Sequence, residues 1–286
     1  MRKKIIALVL SVLMIGLCFA LAGCGDKDQN DYPSNAPSET QSTEPSETPA
    51  ADSDLAYIQG KGTLVVGITD FAPMDYQEEG SEEWVGFDAD LAKKFAESLG
   101  VNVEFQEIEW DYKVTELDGK TIDCVWNGMT LTDEVKAAMD CSKAYCNNQQ
   151  IVIVPADKAA DYQTAEACKD LQFAVENGSA GEEVATELGF KITEVENQAT
   201  ALQEVAAGTC DAAIIDSLMA AAMVGEGTSY ANLTYTVGLN DEEYGVGFRK
   251  GSDLVEKFNA FLDAAIADGT VDAIAETYDV QAALIK

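Results

Sequence analysis

Asp216 closes the apolar run Ala212–Ile215, which presents a carboxylate at the end of a strand. There it could accept a ligand ammonium, or cap a helix over Ser217–Val224. Ser179 and Ala180 open another helical stretch, whose free N–H groups attract a carboxylate. The Ser179 hydroxyl could equally serve as a plain cap. Asn127, Gly128, Met129 and Thr130 follow the run Ile122–Trp126, and Gly128 permits a close approach to the backbone there. Histidine is absent from all 286 residues, which removes His-based triads, His general bases and His-ligated metals. The chain carries 18 basic and 51 acidic side chains, a net charge of −33. Such a surface cannot replace counterions along a phosphate backbone, so nucleic acid is not an expected partner.

The elements that must position these groups alternate along the chain. Strand-like runs are Thr63–Ile68, Val101–Ile108, Ile122–Trp126, Gln149–Val154, Gln172–Val175, Ala212–Ile215 and Tyr244–Phe248. Helical patterns cover Asp88–Leu99, Asp133–Met139, Ala180–Leu188, Ala199–Ala207, Leu218–Val224, Leu254–Ala267 and Val271–Tyr278. In the first of these Leu91, Phe95 and Leu99 recur every four residues, with Lys93, Lys94 and Glu97 outside that face. The alternation predicts an α/β protein with mostly parallel sheets, and ligands in such sheets bind beyond the carboxyl ends of the strands.

Before residue 55 the composition is different. Arg2, Lys3 and Lys4 precede an apolar run, Ile5–Ala22, that could just span a bilayer as a permanent anchor. Leu21-Ala22-Gly23-Cys24 instead resembles a bacterial lipoprotein signal, in which residues 1–23 are removed and Cys24 is acylated. Removal would take away three positive charges and leave −36. Residues 24–54 hold four of the six prolines among Ser, Thr, Asp and Glu, a composition expected to form an extended tether. Cys124 and Cys210 lie in apolar runs and are expected as buried hydrophobes, while Cys141 and Cys146 are close enough to pair. The cysteine spacings fit no zinc pattern, and neither metal nor cofactor is expected.

From Thr63 onward the chain resembles the extracellular solute-binding proteins of polar amino-acid ABC importers, family 3. Leu64–Ile68 followed by Ala72-Pro73-Met74 stands where that family has Pro-Pro-Phe, and Val85–Ala92 resembles its GFDVDLA segment. Gly128–Glu134 resembles GMTITPER short of its last residue, and Gly178–Glu182 resembles GTTGE. Asp211–Asp216 resembles DAVVxD, and Glu243–Gly251 resembles YGIAVRKG. The resemblance implies a two-lobed, type II periplasmic-binding-protein-like fold with the ligand clamped between the lobes. Lobe one would comprise 55–146 plus 245–286, and lobe two 147–244. The two hinge crossovers would lie near Tyr145–Gln149 and Glu243–Tyr244. It further implies that Asp216 takes the ligand's α-ammonium, and that Gly128–Thr130 offers backbone groups and a hydroxyl. Phe71 and Trp110 would stand as aromatic walls, unless they are core, and Asp70 would approach the ligand's side chain. The implied partners are a small amino-acid-like solute, a permease with its ATPase, and the membrane through the lipid on Cys24. The expected state is a monomer on the extracellular face.

One departure limits the resemblance. GMTITPER ends in an arginine that clamps the ligand carboxylate, and Val135 stands there. Lys136 faces another side of the helix, and the only arginine outside the leader, Arg249, belongs to the YGIAVRKG-like segment. A cationic or zwitterionic solute is therefore expected, with acidic amino acids excluded. Two other classes share the fold: a sensor module, which would need a signalling partner, and a cyclohexadienyl dehydratase-like enzyme, which would need an acid or base and firm carboxylate clamps.

Overall fold

Thr63–Ile68 buries Leu64, Val66, Gly67 and Ile68 and becomes an inner strand of the first of two mixed sheets. A computed structural model describes residues 53–285. The expected signal peptide, Cys24 and most of the expected tether lie outside the described residues. Strand order in the first sheet is Asn102–Glu107, Thr63–Ile68, Cys124–Thr130, Glu242–Phe248 and Asp140–Cys141, with Cys146–Asn148 also paired to Glu242–Phe248. The second sheet runs Lys191–Val195, Gln172–Glu176, Ala212–Asp216, Gln150–Pro155 and Leu233–Gly238.

The expectation of mostly parallel sheets needs correction. The first three strands of each sheet are parallel, and the remaining pairs are antiparallel. The reason lies in the two crossings between sheets. Gln150–Pro155 and Glu242–Phe248 both enter from the neighbouring sheet, so they start where the parallel strands end. Gln150 pairs with Asp216, and Tyr244 with Thr130. The first sheet keeps Asn148 and resumes at Glu242, so the change of sheet falls at Gln149 and between Gly238 and Glu242.

Helix Phe87–Leu99 buries Leu91 and Phe95 and leaves Lys94 and Glu97 exposed, as its period requires. Gly100 ends it at φ 74°, where its N–H reaches Ala96 and Glu97 carbonyls. Phe95 packs edge-on to Phe258 of helix Leu254–Ala267, at 5.3 Å between centroids, and Trp126 does so at 4.9 Å.

Ser53 and Asp54, expected in the tether, are folded. Ser53 caps helix Asp54–Lys61 through the Ala56 N–H. The buried Asp54 carboxylate meets Arg249 Nε at 3.0 and 3.1 Å. Arg249 also donates to the Leu117 and Ile122 carbonyls, so the only arginine of the described residues is committed to structure. Cys124 and Cys210 are buried, and Cys141 and Cys146 are both free thiols rather than a disulfide. Among the described residues no helix is long and apolar enough to cross a membrane.

Candidate functional site

A cavity of about 410 Å³ opens between the ends of the two sheets. From the first sheet side it is lined by Phe71, Trp110, Lys113, Gly128–Thr130 and Val135; from the second by Gln150, Glu176, Ser179, Ala180, Gln198 and Asp216. Nine of the ten expected ligand contacts border this cleft. The exception is Asp70, which is exposed and lies on a separate depression with Gln77, Glu78, Trp84 and Glu107. Its neighbour Phe71 is buried on the cleft wall, whereas Asp70 stays at the surface.

Asp216 is buried, and its carboxylate accepts the Tyr244 hydroxyl at 2.5 Å and the Gln150 amide. Neither oxygen bonds the helix that follows, so the capping alternative fails. Its backbone N–H donates to Gln198 Oε1 at 2.8 Å. Burial, and next the Glu242 carboxylate, push Asp216 up to about 7. Ser179 does cap its helix, accepting the Glu182 N–H at 3.2 Å while bordering the cleft.

Asn127 borders the cleft but offers it no polar group. Its oxygen takes the Thr69 N–H and hydroxyl, and its amide donates to the Thr69 carbonyl and Asp75. The Gly128 N–H is likewise committed, to Asp88 at 2.7 Å. Gly128 has φ +54°, and a Cβ there would lie 2.5 Å from the Phe71 ring. The Thr130 hydroxyl donates to Glu242 at 2.9 Å. Phe71 and Trp110 are wall and core at once. Phe71 meets Tyr244 edge-on at 6.4 Å, and Trp110 packs with Met129, Val135 and Met139.

Sequence reasoning missed Glu176, Lys113, Gln150 and Gln198. Glu176 ends the run Gln172–Val175 as Asp216 ends its own, and that signal could have found it. Burial, then Asp216, raises its carboxyl to about 8, while the Lys113 ammonium acts against them. Glu176 Oε1 and Gln150 Oε1 are buried without hydrogen-bond partners. Lys113 sits on the short helix Lys113–Asp118, and burial lowers it while Glu176 holds it up. Asp111, Glu134, Glu182, Glu183 and Glu187 complete an acidic lining in which Lys113 is the one base.

Two mixed sheets joined by two crossings, with acids, amides and aromatics converging on the cleft between them, define a clamp-type solute-binding protein. Residues 64–281 match the model of the bacterial extracellular solute-binding proteins, family 3, and the chain belongs to that family. It is 29% identical to the arginine-binding extracellular protein ArtP of Bacillus subtilis over 79% of this chain and 90% of that protein. It is 28% identical to the L-cystine-binding protein TcyA of the same organism, over 97% of each. An ancestral arginine-binding protein solved with arginine superposes with a TM-score of 0.70 at 35% identity, covering 76% of this chain and 98% of that one. The chain is an extracellular substrate-binding component of an ABC importer for amino acids.

Proposed function

We propose that the cleft takes a cationic amino acid of the arginine or lysine class and holds its α-ammonium on Asp216. The observation that carries this reading is an acid-lined cleft that holds the buried Asp216 carboxyl and, at Gln150 Oε1, a buried acceptor without a donor. A buried acceptor left unmatched costs about 1–3 kcal/mol, which a ligand rich in N–H groups recovers. The relatives named for arginine agree with that chemistry. Calorimetry of the full-length protein in detergent against L-arginine, L-lysine, L-cystine, L-glutamine and L-glutamate tests it. Arginine or lysine should bind most tightly, and glutamate as the tightest ligand would overturn the reading. The solute should be recovered unchanged by mass spectrometry, since the role is capture and release; a converted product would support the enzyme reading instead.

Anchoring belongs to the same proposal. Cys24 follows Leu21-Ala22-Gly23 and carries the lipid that holds the protein at the outer face of the membrane. Cys24→Ser should therefore move the protein from the membrane fraction into the medium. Retention at the membrane would assign the anchor to Ile5–Ala22.

A further inference from the structure

The first sheet's wall lacks the arginine that the family places at Val135, yet the cleft holds one buried cation elsewhere. Lys113 projects from the opening of helix Lys113–Asp118, and its ammonium lies 5.1 Å from the centre of the Trp110 ring. Nζ donates to the Trp110 carbonyl at 3.2 Å and, across the cleft, to the Gly178 carbonyl at 2.8 Å. An ammonium has three N–H groups. Among the described residues the third has no acceptor, and no carboxylate lies within ion-pair distance of Nζ. Glu176, Asp111, Glu134 and Glu182 act on Lys113 only at longer range.

A buried ammonium with neutral partners alone is costly, and a carboxylate brought to it would complete the pair. The surroundings suit such a group. Gly178 directly precedes the opening of the eight-residue helix Ala180–Glu187. There Ser179 Oγ takes the Glu182 N–H and the Glu182 carboxylate takes the Gly178 N–H, leaving the Ala180 and Gly181 N–H groups of the first turn, with Ala180 on the cavity wall. Val135 packs against the same Trp110 and borders the same cavity, so Lys113 and the missing arginine's position serve one region of the cleft.

We propose that Lys113 is the carboxylate-binding residue of this cleft, supplying from helix Lys113–Asp118 the positive charge that Val135 cannot. It rests on the reading of the cleft as an amino-acid site, but not on the ligand's side chain being cationic. Because Nζ already joins the two sides of the cleft, a carboxylate on it touches the group that bridges them.

The test separates the carboxylate from the rest of the ligand. Binding of L-arginine and of agmatine, the same molecule without the carboxylate, is measured on the full-length protein at pH 8, beside L-glutamine and 4-aminobutyramide as a neutral pair. The unmodified protein should prefer the carboxylated member by about 10- to 100-fold, the range of a charge-assisted hydrogen bond. Lys113→Gln keeps donors for the two carbonyls but removes the charge, and it should erase that preference, lowering affinity for the carboxylated member far more than for agmatine. Lys113→Arg should retain it, and melting temperatures without ligand report whether each variant is folded. If Lys113→Gln fails to fold, loss of the preference in Lys113→Arg overturns the proposal and its retention supports it. Equal weakening of both members in Lys113→Gln would make Lys113 a closure contact only and overturn the proposal, as would an unchanged preference. Should glutamine bind and arginine not, the cationic reading fails while the neutral pair still decides Lys113. Should none of the four bind, both fall.

Discussion

Replacing Asp216 by asparagine separates the charge of the site from its shape. Asp216 accepts from Tyr244 at 2.5 Å and from the Gln150 amide. In the Asp216→Asn variant the side-chain oxygen can keep accepting from the Gln150 amide, which also stays on Glu242 at 2.8 Å, while the new amide donates to the Tyr244 hydroxyl oxygen. Both contacts therefore survive the change with Gln150 in place. Binding should respond very differently. Orphaning a buried ammonium costs about 3–5 kcal/mol, which is roughly 100- to 4000-fold in affinity. Stability should move the other way. Burial raises Asp216 to about 7, so the folded chain holds a proton that the unfolded chain releases above pH of about 4. The protonated form's advantage is complete below that pH and is lost as pH rises to about 7. The variant has no such loss. Without ligand it should melt higher than the unmodified protein at pH 8 and alike at pH 4. Calorimetric titration with L-arginine and thermal unfolding at both pH values are the assays. Unchanged affinity, or a variant less stable at pH 8, would refute the assignment of Asp216 as the ammonium partner.

Arginine affinity should fall about tenfold from pH 8 to pH 6, because with a value of about 7 only about one-tenth of Asp216 is ionised at the lower pH. Protons should be released on binding near pH 6.5, read from titrations in buffers of different ionisation enthalpy; a flat profile would contradict the pairing. Val135→Arg should shift preference from cationic toward neutral amino acids by about tenfold, the scale of one charge-assisted hydrogen bond, in competition binding. Loss of all binding would mean that the wall cannot admit the longer side chain. Arg249→Met strands the buried Asp54 and should lower unfolding free energy in urea by about 3–5 kcal/mol while leaving arginine affinity within about twofold. Lost binding with full stability would place Arg249 in the ligand site.

What was legible followed from local pattern. Inner strands such as Ala212–Asp216 are buried at every position and read as uninterrupted apolar runs, so the acid that ends one stands out. Two strands at the margins of the second sheet passed unread. Lys191–Val195 exposes Lys191, Thr193 and Glu194 at the sheet margin, and Leu233–Gly238 buries only Leu233. Helix Lys113–Asp118 has six residues, too few for a periodic face, so Lys113 passed unread although Trp110 beside it did not. The surface position of Asp70 and the bonding of Asn127 were hidden for a different reason. A loop acid beside a buried Phe71 has no fixed direction in sequence, and an amide consumed by four hydrogen bonds to Thr69 and Asp75 looks identical to a free one until those two residues are placed.

The chemistry of the cleft turns on which positive species meets its carboxyls. Asp216 and Glu176 are both raised by burial, to about 7 and about 8, so near neutrality the ligand-free site is partly neutralised by protons. A cationic solute replaces those protons, and the desolvation that made the acids weak then strengthens their attraction to the new charge. The net charge of −33 acts on another scale. It draws cations toward the protein, but at physiological salt it is screened beyond about 8 Å. Rising ionic strength should therefore slow association more than dissociation, because capture depends on the exposed field and retention on the buried pair. Specificity consequently rests with the few groups inside the cleft: two raised carboxyls, the unmatched acceptor of Gln150, and the single ammonium of Lys113.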